Sequence, residues 1–185
     1  MCVMMPLKTE LHCHNIFSNG HVGALEPIYD CNVTIPKQLE QAYLAGLDVL
    51  FVTNHNTIGG YVQMLEYKKN HQKFDTLSVY PAEEVTTNNE SHVLVYGIDH
   101  SIKSGLSLHE VLDEAKKQDA VTIAPHPFSL LDALREDSIY CDLFEAFNSS
   151  NVDVYSNLRA KKFAKEKSLH VVAGSDSHVQ STIGR

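Results

Sequence analysis

Histidine and carboxylate are the side chains that most often hold divalent metals, and this chain repeats them at one kind of position. "TELHCH" carries His12 and His14 at i and i+2. On an extended strand those two rings share a face and Cys13 turns away as a packed thiol. Other short apolar runs end in "LFVTNHN" with His55, in "TIAPHPF" with His126, and in "VVAGSDSH" with Asp176 and His178, again at i and i+2. "PAEEVTTNNESHVL" adds Glu83, Glu84 and His92. Imidazole with carboxylate suits zinc, iron or manganese. One ion takes about three or four protein ligands. Six histidines and two carboxylates in one bowl therefore provide for two ions or a third. A carboxylate such as Glu84 can bridge two ions, which an imidazole does not readily do.

The elements that must gather these groups are short and regularly spaced. Residues 48–52, 76–80, 92–98, 120–124, 142–147 and 170–173 read as strands, several of them apolar on both faces. Thr34 with Pro36 opens a helix whose apolar face is Ile35, Leu39, Ala42 and Tyr43, and Gly46 can close it. Ser107 with Glu110 forms a capping box ahead of Leu108, Val111, Leu112 and Ala115. A third helix is expected over 153–167. Repeated strand–helix units favour a parallel α/β architecture, a barrel or an open sheet, in which ligands collect at the carboxyl ends of strands. The segment 76–98 is less regular, and "TTNNES" reads as a hairpin or a broad loop.

The 185 residues fit one domain, and 43% hydrophobic residues are enough for a core. The net charge of −8 argues against extended nucleic acid as a partner. The four cysteines, Cys2, Cys13, Cys31 and Cys141, show no regular spacing and read as free thiols in a reducing compartment. The first ten residues lack the pattern of a signal peptide, and no apolar run approaches the ~20 residues of a membrane span. A soluble, cytoplasmic protein is expected. Of the eleven histidines, His21, His71, His100, His109 and His170 lack the strand-end placement and read as surface or packing residues.

In this order, "LHCHNIFSNG", "TNHNT", "EVTT…SHVLVYG", "APHPF" and "GSDSH" resemble the motifs of the PHP family, the polymerase and histidinol phosphatase domain. The resemblance covers essentially the whole chain. It implies one catalytic domain over 1–185, an α/β fold of the distorted (β/α)7 TIM-like barrel type, and metal-dependent phosphoester hydrolysis. It implies that His12, His14, Glu84 and Asp176 hold one ion. Glu84, His92 and His126 would hold a second, with Glu84 as the bridge, and His55 and His178 would contribute to a third. Glu84 rather than Glu83 matches, because the family has an apolar residue and then Thr or Ser after its Glu. Three positions depart from the family: Glu10 and Asn54 each replace an Asp, and Asn19 replaces an acidic or histidine ligand of the third ion. Amides are weaker ligands than carboxylates, so a weak, substrate-assisted or empty third site is expected. The family also continues with a segment that closes the barrel, so a chain ending at Arg185 is expected to be truncated or unusually short.

The implied reaction is in-line hydrolysis by a hydroxide bridging two ions about 3.5–4 Å apart, with the ions also offsetting phosphate charge. Asp176, His178 and His55 are the catalytic candidates. Without a third ion, His178 or His55 would protonate the leaving oxygen. Arg135 and Arg159, with Asn19, are the candidate substrate contacts, and the expected substrate is a small phosphorylated molecule or nucleotide. Two other readings compete. An amidohydrolase-like C–N hydrolase shares the H-x-H and the strand-end Asp, but does not need the extra ligand of "GSDSH". A metal-bound PHP module without catalysis would follow if the substitutions have retired the site.

Overall fold

Along a strand successive side chains face opposite sides, so a curled sheet sorts its residues into an inner and an outer set. The computed structural model describes residues 6–20 and 29–185, and the readings made for Cys2, His21 and the first five residues lie outside these. The described strands are β1 (Thr9–Glu10), β2 (Val49–Val52), β3 (Ser78–Thr86), β4 (His92–Tyr96), β5 (Val121–Ala124), β6 (Leu143–Asn148) and β7 (Val171–Gly174). They lie side by side in chain order as one mixed, nearly closed, barrel-like sheet.

Pairing is parallel except at β3–β4 and β4–β5, which are antiparallel. The less regular segment 76–98 is where the parallel order breaks. Only residues 87–91 join β3 to β4, too few for the dozen or so that a parallel crossover needs. "TTNNES" is thus the tip of a hairpin. Reversing β4 has a functional result: its first residue, His92, lies at the same end of the barrel as the last residues of the other strands.

The seam between β7 and β1 is bridged rather than zipped. Cys13 pairs with Ser177, the His14 N–H donates to the Ser177 carbonyl at 2.9 Å, and the Asp176 N–H donates to the His12 carbonyl at 2.7 Å. Glu10, buried below, accepts the N–H groups of His12, Ser175 and Gly184. The Glu that departs from the family pattern therefore fastens the two edges of the sheet together.

The inner set has an apolar floor of Ala82, Leu94, Tyr96 and Ile123, with Leu11, Phe51, Leu143 and Val172 packed against it. Two residues further along the same strands, toward the open end, stand Glu84, His92 and Glu145. The outer set, Val85, Val93, Val95, Ala124 and Phe144, packs under helices α3 (Leu108–Lys117) and α4 (Val154–Lys167). Helices α1 (Ile35–Leu44) and α2 (Tyr61–Lys69) cover Leu50 and Val52 of β2.

Helix α1 opens with Pro36 in its first turn. It ends in a Schellman turn, in which Gly46 at φ 67° lets the N–H groups of Leu47 and Gly46 reach the carbonyls of Ala42 and Tyr43. Its buried face contains Gln38 instead of Tyr43, which is 46% exposed. The Gln38 amide accepts from Asn15 at 2.8 Å and donates to the His14 carbonyl at 3.4 Å, so a polar residue on the packed face props the H-x-H segment. The capping box of Ser107 and Glu110 forms as read, and α4 is capped by Asp153. Helix α2 has no counterpart in the sequence reading, because Met64 is its buried residue and no apolar stripe marks it.

Candidate metal centre

Sharp turns at the strand ends present the chemistry. His126 and Asp176 sit at φ 27° and φ 52°, conformations that cost of order 1–3 kcal/mol and occur where surrounding structure enforces them. His12 and His14 follow β1, His55 follows β2, Glu84 lies within β3, and His126, Asp176 and His178 follow β5 and β7. All reach one hollow of about 250 Å³ at the open end of the barrel or the wall just behind it. Glu84 points into this bowl, and its neighbour Glu83 faces the outer side.

Glu84 is the centre of the arrangement. Its Oε2 lies 3.3 Å from His12 Nε2, 3.3 Å from His14 Nε2 and 3.5 Å from His55 Nδ1. Its Oε1 lies 3.0 Å from both His92 Nδ1 and His126 Nε2. One carboxylate thus faces two separate sets of imidazoles. Asp176 Oδ1 lies 3.3 Å from His12 Nε2, 3.4 Å from His14 Nε2 and 3.6 Å from His178 Nδ1. Three groups of donor atoms are compact enough for an ion: His12, His14, Glu84 and Asp176; His55, Glu84 and His92; and His14, Asp30, His55 and His178. His126 joins the second through the Glu84 oxygen it shares with His92.

The donors fit cations better than they fit each other. His14 Nε2, His55 Nδ1 and His92 Nδ1 are buried without a hydrogen bond among the described residues, although a Glu84 oxygen stands within reach of each. Nitrogen and oxygen whose lone pairs converge on one ion at ~2.1 Å sit about 3.4 Å apart in a tetrahedral shell. That matches these spacings and their lack of hydrogen-bond alignment.

Mutual charge holds the carboxylates ionised. Burial works against the Glu84 anion, but His92, His12 and His55 outweigh it and hold its pKa well below the ordinary value. Burial likewise opposes charge on Asp176 and is outweighed, chiefly by His12. His12 is driven up against its burial by Asp176, Glu84 and Glu145. Burial takes His55 down to about 3, so that ring is neutral at physiological pH. His178, held by Asp30 and Asp176 against its burial, rises to about 9.

Asp30 carries no signal in the motifs. Asp30 Oδ1 lies 3.1 Å from His178 Nε2 and 3.8 Å from His55 Nε2, which supplies the third group with a carboxylate. Asn19 makes that placement possible. Its Oδ1 accepts the N–H groups of Asp30 and Cys31 at 2.7 and 3.0 Å, and its Nδ2 donates to the Cys31 carbonyl. Asn19, read in the sequence as a substrate contact, thus braces the Asp30 loop. Asn54 is also a brace: it joins Asn15, Ser18 and Gly59.

Glu145 and Asn148 of β6 lie behind the first layer. Glu145 Oε1 lies 3.1 Å from His12 Nδ1, and its Oε2 accepts the His126 N–H at 2.6 Å and the Asn148 amide at 2.9 Å. Asn148 also donates to Asp176 Oδ2 at 3.1 Å. This directs the His12 Nδ1 proton toward Glu145 and leaves Nε2 for the bowl. Gly174 is required beside it, because a Cβ there would collide with Glu145 and His12.

Arg135 and Arg159 do not line the bowl. They line a neighbouring hollow, where Arg159 donates to Glu136 at 2.9 Å, so neither is placed to grip a phosphate between the histidines. His71 stacks on Tyr67, His100 pairs with Asp99, His109 lies edge-on to Tyr140, and His170 is exposed. Cys13, Cys31 and Cys141 are free thiols. No helix among the described residues is long and apolar enough to cross a membrane.

A family profile described as PHP-associated, PHP_C, matches residues 154–185. An uncharacterized protein of Methanocaldococcus jannaschii is 32% identical over 166 residues, covering 86% of this chain and 93% of its own length. The chain belongs to the PHP family. Two solved structures share its fold. A Bifidobacterium adolescentis protein proposed to be a metal-dependent phosphoesterase superposes with TM-score 0.69 at 16% identity, over 94% of this chain and 88% of its own. The lesion-specific endonuclease PfuEndoQ of Pyrococcus furiosus superposes with TM-score 0.62 at 15% identity, over 95% of this chain and 49% of that one.

Proposed function

We propose that residues 1–185 act as one catalytic domain that hydrolyses a phosphate ester of a small molecule with two or three bound divalent cations. The observation that carries this reading is Glu84, whose two oxygens face two different sets of histidines. His12, His14, Glu84 and Asp176 would hold one cation; His92 and His126 with Glu84 a second; and Asp30, His55 and His178 the third. When bound, such cations supply a nucleophile from water near neutral pH and offset charge on the phosphate oxygens.

The protein's own residues do the rest. Glu145 and Asn148 fix His12, His126 and Asp176 so that the bowl keeps its shape. Glu84 and Asp176 stay unprotonated, which keeps their oxygens available. His178 stands at the mouth, partly exposed, with Nε2 on Asp30. When it is not a ligand, a proton on that nitrogen is the one nearest an entering ester and passes to the leaving oxygen. Ser129, Ser150 and Asn151 on the rim offer neutral hydrogen bonds.

The bowl, about 250 Å³, has room for a phosphoryl group and a small part of the ester around it. Among the described residues its lining contains no lysine or arginine, and Asp30 and Asp132 stand at its edge. That favours a small ester over a long polyanion, which needs a basic approach surface. The endonuclease similarity makes duplex DNA the necessary second substrate to try.

The test is elemental analysis of wild type, His14→Ala and Asp30→Asn, with hydrolysis of an aryl phosphate and of nicked, lesion-bearing and intact duplex DNA. Two or three ions in wild type, fewer in His14→Ala, one fewer in Asp30→Asn, and ester turnover that follows the metal are expected. Cleavage of DNA without ester turnover would replace the small-molecule substrate. Metal without turnover of either would favour a non-catalytic PHP module, and hydrolysis of amides alone would favour the amidohydrolase reading.

A further inference from the structure

A second hollow, about 480 Å³ against the bowl's 250 Å³, lies beside the metal centre and shares Ser129 with it. The same two chain segments build both. After His126, the run Phe128–Leu130 passes from bowl to hollow, and after Asn151 and Val152 in the bowl, Asp153 and Tyr155 line the hollow. The floor is Phe128, 5% exposed and locked by the Ser156 hydroxyl on its carbonyl at 2.9 Å. Around it Leu130, Tyr155 and Leu158 stand 70%, 77% and 59% exposed. Large apolar side chains left this open beside a site mark a binding surface.

The same hollow is lined by Arg135, Arg159 and Lys162. The Arg159 guanidinium lies 4.3 Å from the centre of the Phe128 ring, a cation–π contact, and also donates to Glu136. The acid of the hollow is engaged elsewhere: Asp153 accepts the Ser156 N–H and hydroxyl as the cap of α4. Arg135 is exposed and makes no ion pair among the described residues. The bowl thus carries imidazole and carboxylate without lysine or arginine among the described residues, and the hollow carries apolar surface beside Arg135, the cation there that makes no ion pair among them.

We infer that the hollow seats the leaving group of the ester, and that this group is a flat apolar ring bearing an anionic substituent. The inference rests on the phosphoesterase reading. The phosphoryl group lies in the bowl, and the ring lies over Phe128 between Tyr155 and Leu158. Its anionic substituent meets Arg135 and Arg159, whose planar guanidinium groups suit a carboxylate or phosphate. Arg135 and Arg159 then recognise the far end of the substrate, away from the reacting phosphate.

Metal-loaded wild type, Arg135→Ala and Tyr155→Ala are compared on 4-carboxyphenyl phosphate, 4-carbamoylphenyl phosphate and glycerol phosphate. The two aryl esters share a ring and differ in charge. Wild type is expected to prefer the carboxylate by about tenfold in kcat/KM, expressed in KM. Arg135→Ala is expected to bring that ratio near one. Tyr155→Ala is expected to lower both aryl esters relative to glycerol phosphate without changing their ratio. A wild-type ratio near one, or a ratio that Arg135→Ala leaves unchanged, overturns the inference while the phosphoesterase reading stands. Turnover of none of the three by metal-loaded protein overturns that reading, and the inference with it.

Discussion

Each oxygen of Glu84 serves a different group of imidazoles, so the geometry of the bowl depends on what orients those rings. Glu145 does so for His12 and for the His126 backbone, and through Asn148 for Asp176. Glu145→Gln keeps the shape and removes the charge that would make His12 a better ligand. A 10–100-fold loss of metal affinity is expected, the usual effect of removing a partner behind a ligand, with little change in the fold. Chelator competition on wild type and variant measures it; equal affinities would mean that His12 is set by packing alone. The first layer was legible in the sequence because each histidine, Glu84 and Asp176 stands at the end of an apolar run. Asp30 was not, because it lies in an irregular loop and reaches the site only through the Asn19 brace. Glu145 had a signal that went unread: a lone acid inside "DLFEAF" must either face solvent or meet a buried partner.

At the scale of elements, β3 places two adjacent acids on opposite faces. Glu83 is buried outside the barrel, where it accepts the Ile102 N–H at 2.5 Å, and its Oε2 has no partner among the described residues. Burial pushes its carboxyl up to about 7 from an ordinary 4.5. The folded chain therefore binds this proton more tightly than the unfolded chain. The stabilisation is complete below about pH 4.5 and is lost as pH rises through 7, a swing of order 3 kcal/mol. Glu83→Gln keeps the acceptor and removes the titration. Urea midpoints from pH 4.5 to 8 should fall with pH more steeply in wild type than in the variant, and parallel profiles would refute the buried-acid account. The helix signals at Thr34–Pro36 and Ser107–Glu110 were readable because caps are local chemistry. Helix α2 was not, since its burial comes from one methionine, and the direction of β4 followed from the length of a turn rather than from any residue pattern.

The whole molecule keeps its floor apolar and its rim charged, so a bound cation acts as a folding ligand. At free metal a hundredfold above Kd, one site adds about 2.7 kcal/mol of stability. Chelation is expected to lower the calorimetric Tm by roughly 2–4 °C for each kcal/mol lost in a chain of this size. A Tm indifferent to chelator would mean that the native protein gains nothing from the ion. The barrel could be inferred from strand ends that all carry candidate ligands, but its closure could not, because the seam rests on Glu10 and backbone hydrogen bonds that no periodicity marks. That seam also sets a clock. Glu84 and His92 meet across a short hairpin and come together as soon as that stretch of chain exists. His12 and Asp176 belong to opposite ends, and loop closure of that length is among the slowest contacts to form. A cation held by His12 and Asp176 together would therefore bind only after β1 and β7 have met.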